Sequence, residues 1–219
     1  MTKETGGSRR SSSARDRDWT KGSISGNLWA LSWPIMVSSS LGMMGPTIDM
    51  IWIGKLGSAA VAGVGISGMA VMAVNALMMG LFTGLRAMIA RFIGAGNMDG
   101  ANHVMQQAFV IGAGFSIITA SIGLLFAERI LALFGVEADV VAQGSTYMRI
   151  QFIGMVTMSL LRITESSMQA SGDTITPMRI AVFYRILHLA LAPSLIFGLW
   201  IFPQLGVRGA ALTNIITQS

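Results

Sequence analysis

The chain of 219 residues has no cysteine, only two histidines and two tyrosines, and few charged residues, 11% in all. Without thiols there are no disulfides, no thiolate nucleophile and no cysteine-built zinc site. His103 and His188 lie far apart, with no H-E-x-x-H or other ligand cluster around them, so they do not form a metal pair. No nucleophile stands beside a base either, which argues against an intramembrane hydrolase and against an enzyme in general. Soluble domains carry roughly 25% charged residues. Less than half that share, with a mean hydropathy of +0.63, makes this an integral membrane protein. The expected partners include the lipid bilayer.

The charge that is present is concentrated. The formal net charge is +5, and Lys3, Arg9, Arg10, Arg15, Arg17 and Lys21 all precede the first apolar stretch. This Ser/Gly/Arg-rich leader, residues 1–24, has no apolar run of its own, so it is neither a cleaved signal peptide nor a twin-arginine signal. It reads as a disordered cytoplasmic leader and a topology signal rather than a nucleic-acid arm. No nucleic acid is expected as a partner.

From residue 25 onward, turn residues and charges divide the chain into apolar helices. The first spans about Asn27–Ile53, with Pro34 and Pro46 inside it. The second runs from Ala59 to Ile93 and is uncharged up to Leu85. Gly94 to Gly100 is a turn by its glycines and its Asn/Asp pair. The third covers Ala101–Phe126, and Glu128, Arg129, Glu137 and Asp139 mark the next boundary around Gly135. The fourth is Val140–Ala170. Thr176 before Pro177 predicts an N-cap and a first-position proline for the fifth, which reaches about Phe202. A sixth begins near Gly206 and is still running at Ser219. Gly63-Val64-Gly65-Ile66-Ser67-Gly68 matches G-x-G-x-x-G. With no strand before it and no acid at the right distance after it, it reads as helix-packing glycine, as does Gly80-x-x-x-Gly84.

Basic residues alternate between the two sides. The leader, Arg86 with Arg91, and Arg162, Arg179 and Arg185 fall on one side; Lys55, Arg129 and Arg208 fall one by one on the other. The positive-inside rule places the N-terminus in the cytoplasm.

The apolar stretch from Leu28 to Ile53 holds one carboxylate, Asp49. A helix of that length measures about 38 Å, enough to cross the hydrocarbon core. An acid within it costs several kcal/mol unless it faces a polar interior, so Asp49 is a candidate functional group. Gly45, Gly42 and Ser38 share its face. Pro46 has no N–H for the Gly42 carbonyl, which leaves an acceptor of the kind that holds Na⁺ or H⁺ in discontinuous membrane helices. Lys55 is roughly 120° away on the helix and pairs poorly with Asp49. His188, deep in the fifth helix, reads either as a proton-relay imidazole or as a packing residue. Arg162 and Glu165 read as an i,i+3 ion pair snorkelling to the interface.

The ordered anchors make a family pattern. They are Leu31-Ser32-Trp33-Pro34 with Asp49, Trp52-Ile53-Gly54-Lys55-Leu56-Gly57, Gly80-Leu81-Phe82-Thr83-Gly84, Gly94-Ala95-Gly96-Asn97, Gln169 to Thr174 with Thr176-Pro177-Met178, and Phe202 to Ala211. With these the chain, from Leu28 to its end, resembles the N-terminal half of a multidrug and toxic compound extrusion (MATE) transporter. The resemblance implies an all-α membrane fold: a six-helix bundle over residues 25–219, its sixth helix truncated, forming one lobe of a two-lobe, inverted-V transporter. The partner would be a C-terminal lobe of the same protein, the sequence itself being a fragment. The implied function is cation-coupled antiport at the plasma membrane that exports small organic cations, with no cofactor besides the coupling ion, H⁺ or Na⁺.

The resemblance also implies that the first-helix acid, here Asp49, joins polar residues of the fifth and sixth helices. Pro34 matches the proline where the first helix bends, and Pro46 is a second bend candidate. Family members have an Asp before the fifth-helix proline, where this chain has Ala192-Pro193. One turn earlier, in place of a common Asn, stands His188. The sixth-helix polar position falls at Thr213-Asn214. Losing the second carboxylate weakens Na⁺ more than H⁺, so the expected site is Asp49, His188 and Asn214, coupled to H⁺. The rivals are a lipid-linked oligosaccharide flippase, which would need cavity-facing arginines from among Arg149, Arg162 and Arg185, and a non-transporting membrane scaffold.

Overall fold

The long uncharged stretches become the longest helices. In the computed structural model, which describes residues 23–199 and 203–218, the order is α1 Ile24–Ile53, a 3₁₀ turn Gly54–Leu56, α2 Ser58–Gly94, α3 Met98–Ala132, α4 Ala138–Ala170, α5 Ile175–Phe197 and α6 Val207–Gln218. Among the described residues there is no strand. Of the leader, residues 1–22 lie outside the described residues, and Ser23 caps α1 through a hydrogen bond from Gly26 N.

The punctuation works as glycine and Asx chemistry requires. Gly96, Gly135, Gly172 and Gly198 all take positive φ just after helix ends, where a residue without Cβ turns the chain at least cost. Asn97 caps α3, its Oδ1 accepting from Gly100 N at 2.8 Å.

Three boundaries differ from the sequence expectation. α3 runs through Glu128 and Arg129 to Ala132; Glu128 does not end it, because its carboxylate points outward and pairs with Arg149 at 3.0 Å. α5 starts at Ile175, so Thr176 is not the cap. Asp173 does that work, accepting from Thr176 N at 3.0 Å and from the Thr176 hydroxyl at 2.8 Å. Pro177 sits one turn in, where an N–H would have had no helical partner. α5 stops at Phe197, because Gly198 turns left-handed (φ 72°) and its N–H closes on Ser194 O; Phe202 lies outside the described residues.

α4 is the central helix, packed against α2, α3 and α6, while α1 lies mainly along α5. The tightest crossing is α2 on α4. A Cβ on Gly63 would come within 2.9 Å of Gly144 N and Val140 O, and one on Gly144 within 2.8 Å of Gly63 O. The Ser67 hydroxyl sits in this crossing, 2.7 Å from Gly63 O and 2.8 Å from Gly144 O. Of the G-x-G-x-x-G run only Gly63 is a packing glycine. Gly65, Gly68, Gly80 and Gly84 have no neighbour within 4 Å of a built Cβ. The expected packing role of Gly80-x-x-x-Gly84 is thus corrected: small-residue spacing marks a smooth helix face, and nothing in this bundle lies against that one.

Three helices, α2, α3 and α5, are both long and apolar enough to cross a membrane among the described residues. Their large side chains point away from the bundle: Met69, Met72, Ile117, Ile118, Leu125 and Phe183 are all exposed. An outward apolar surface of this kind suits hydrocarbon rather than water. α1 and α4, at 30 and 33 residues, are also long enough to cross, and each carries buried polar side chains, Asp49 and Tyr147 among them.

The crossing gives a first test. Gly144→Val should destabilise the bundle by about 1–3 kcal/mol, the usual cost of overpacking, whereas Gly84→Val should leave it nearly unchanged. Thermal unfolding in detergent reads both; equal losses in the two variants would contradict the assigned crossing.

A buried carboxylate between three helices

Asp49 is 2% exposed and His188 0%. α1 carries the carboxylate near its C-terminal end, and its own amides are already used in helical hydrogen bonds, so donors must come from other helices. They do. Asn214 of α6 donates from Nδ2 to Asp49 Oδ2 at 2.7 Å. His188 of α5 places Nε2 3.2 Å from Asp49 Oδ1. That contact is close but out of line, so Oδ1 and both imidazole nitrogens lack a full hydrogen-bond partner. One carboxylate oxygen is therefore held and the other is open toward a basic nitrogen. The three sequence candidates Asp49, His188 and Asn214 meet at one point.

The two helix-bending candidates differ in setting. Pro34 is fully buried, and the Ser38 hydroxyl donates to its carbonyl at 2.9 Å. Pro46 is exposed. α1 continues through both as a single helix, lacking the amide donors that would have met the carbonyls of Ala30 and Gly42.

The Gly42 carbonyl is not vacant, as the sequence reading expected. Arg185 of α5 donates from Nη2 to Gly42 O at 3.3 Å. Its guanidinium lies flat against Gly45, where a Cβ would come within 2.5 Å of Nη1. A side chain at position 45 would require the flexible end of the arginine to shift. Arg185 is 7% exposed, its Nε and Nη1 have no hydrogen-bond partner among the described residues, and its charge is attracted to Asp49.

Other residues line up as follows. Tyr147 of α4 is buried near Asp49, close enough to interact with its charge, and its hydroxyl accepts from Gln151 Nε2 at 2.8 Å. Sequence reasoning passed over both; the i,i+4 polar pair in the middle of an apolar helix was the available signal. Ala192, standing where a carboxylate was expected, is fully buried in an apolar cluster with Ile53, Tyr147 and Ile196. Lys55 is held over the Trp52 ring, 4.8 Å from its centroid, and 5.9 Å from that of Phe197. Arg149 pairs with Glu128, and Arg162 Nη1 lies 3.4 Å from Glu165 Oε2. The three arginines considered for a flippase are thus each engaged, two with carboxylates and one with a carbonyl.

With this geometry in place, comparison with known proteins is informative. The family model described as MatE matches residues 34–194, well over half of the chain. The chain belongs to the MatE family. Among curated MatE-like relatives, it is 29% identical over 202 residues to the probable multidrug resistance protein YpnP of Bacillus subtilis, covering 92% of this chain and 44% of that protein. It is 26% identical over 169 residues to the FAD transporter of Shewanella oneidensis, covering 77% of this chain and 37% of that protein. Among solved structures, the Vibrio cholerae MATE transporter VcmN in its bent form superimposes with a TM-score of 0.80 at 28% identity, over 87% of this chain and 43% of that one. The chain thus spans less than half the length of these relatives, and its six-helix bundle matches the N-terminal lobe of a MatE transporter.

The Asn214 contact has a measurable weight. Asn214→Ala should lower stability by about 1–3 kcal/mol, because it strips the donor from a buried carboxylate oxygen. In an Asp49→Asn background the same change should cost less. A double-mutant cycle on detergent melting midpoints reads the difference; additive losses would mean that the two side chains do not interact.

Proposed function

We propose that the chain provides the proton-handling lobe of an exporter that expels small organic cations across the plasma membrane in exchange for H⁺. The observation that carries this reading is the open Oδ1 of Asp49, buried and faced by the His188 imidazole at 3.2 Å. A proton on either atom completes one hydrogen bond between them. Asn214 fixes the other oxygen, so the proton comes and goes at a defined position.

A proton on Asp49 removes the carboxylate's negative charge, and with it the attraction between α1 and Arg185. α1 can respond because Pro34 and Pro46 each remove one rung of its hydrogen-bond ladder. The site would then alternate between outward and inward access as two populations whose balance the proton shifts. The positive-inside pattern puts the N-terminus in the cytoplasm and Asp49 in the outer half of the membrane. The exported compounds would meet flexible methionines and aromatics that adapt to varied shapes, together with a second lobe of the kind that the longer relatives possess. The FAD transporter among those relatives shows that substrate chemistry varies within the family; the multidrug resistance names of most of the others favour organic cations here.

Efflux of a fluorescent organic cation from cells producing the protein tests the reading. An imposed pH gradient should drive export, an Na⁺ gradient alone should not, and Asp49→Asn should abolish it while the protein remains in the membrane. Export driven by Na⁺ alone, or untouched by Asp49→Asn, would overturn the proposal.

A further inference from the structure

Arg185 is the feature that the proposed function leaves unexplained. It is a buried guanidinium with one 3.3 Å hydrogen bond, the Tyr184 ring centroid 5.6 Å away, and two unpartnered nitrogens. Among the described residues it makes no ion pair within salt-bridge distance. A buried charge left this way is costly, so its position needs a reason.

The chemistry of the surrounding oxygens supplies one. The α1 segment next to Asp49 offers the makings of a metal-cation site: a carboxylate and, one to two turns below, a carbonyl freed by Pro46. Hard cations are held by several oxygens at once. Here Asn214 donates to Asp49 Oδ2 and Arg185 to the Gly42 carbonyl, while Oδ1 accepts no hydrogen bond. A metal ion bridging the carboxylate and the carbonyl would have to displace the guanidinium from Gly42 O. The guanidinium also lies in the field of Asp49, where its positive charge repels a second cation.

The charged and titratable groups around Asp49 are few. From α5 come His188 and Arg185; from α4 comes Tyr147, with Arg162 acting on Arg185 from further off. Ala192, one turn beyond His188 on α5, is buried and apolar and adds no charge. No three Asp, Glu or His side chains gather anywhere among the described residues.

We infer that Arg185 is a specificity-determining residue, a tethered cation seated on α1 that closes the Asp49 site to Na⁺ and reserves it for the proton. This rests on the proton-coupled reading of Asp49, but it makes a separate claim about what excludes the metal ion. Removing the guanidinium frees the Gly42 carbonyl, leaves Asp49 without its resident counter-charge and opens the space beside Gly45. An ion could then use the carboxylate and the carbonyl together.

The test is direct binding of radioactive sodium to the purified full chain in detergent, with choline holding the ionic strength constant. The wild-type chain should bind no Na⁺ saturably. Arg185→Gln, which keeps most of the volume and loses the charge, should bind Na⁺ at least about tenfold more tightly, the scale expected when one nearby unit charge is removed from a partly buried site. Arg185→Ala should behave likewise, and serves if the glutamine variant does not fold. Adding Asp49→Asn to either should abolish the binding. Saturable binding by the wild type as strong as in the variants would overturn the inference. So would a folded, monodisperse variant that binds none, or binding that survives Asp49→Asn. Because the readout is Na⁺ binding rather than transport, a failure here leaves proton-driven efflux to be judged by its own experiment.

Discussion

A carboxylate that is 2% exposed inside an apolar helix has to be satisfied by other helices. That requirement explains how α1 sits in this bundle. A helix cannot serve its own buried acid, because its amides are committed to its backbone ladder. The donor therefore comes from another helix, Asn214 on α6, while His188 of α5 lies 3.2 Å from the second oxygen. α1 accordingly lies along α5, far away in sequence, rather than along α2, which follows it directly. The tight Gly198 turn and the backbone bonds from Leu205 to Leu195 and from Gly206 to Ile196 then hold α6 against α5. Asn214 and His188 meet at Asp49 as a result.

Apolar packing and polar pairing divide the bundle between them. α2, α3 and α4 associate through side-chain packing, with glycine at the closest approach and hydroxyls turned back onto their own helices. Ser116 and Ser159 show the pattern: each bonds a carbonyl of its own helix, and the two meet at 3.1 Å across α3 and α4. This half could do without charge. α1, α5 and α6 could not, since their contact is built around Asp49 and its partners.

Helix number and most boundaries were legible in the sequence because glycine, Asx residues and charge interrupt apolar runs wherever the chain leaves hydrocarbon. Asp49 stood out for the same reason, as a charge where none is cheap. Arg185 did not, although it lies three residues before His188 and so on the same face of α5. Counted as a topology signal near the inner end of its helix, it was never weighed as a partner for the Gly42 carbonyl. Nothing in a sequence says which carbonyl a distant guanidinium will reach. Gly80-x-x-x-Gly84 misled in the opposite way: spacing describes one helix face and is silent on whether another helix comes to meet it. The cap at Asp173 lost to Thr176 because the Thr-Pro pair is a familiar helix start, yet a carboxylate reaching two donors of the next turn is the stronger cap.

The charge balance of the site connects these observations. Two carboxylates on neighbouring helices would leave a net negative cleft, and such a cleft needs a bound cation to be stable. On α5 of this chain, Ala192 is buried in an apolar cluster and Arg185 lies against α1. Arg185 thus brings a positive charge onto the helix that carries the buried carboxylate. Asp49 Oδ1 accepts no hydrogen bond, and nitrogens of His188 and Arg185 are unpartnered as well. The helix that carries this oxygen is α1, whose ladder lacks two rungs, at Pro34 and Pro46.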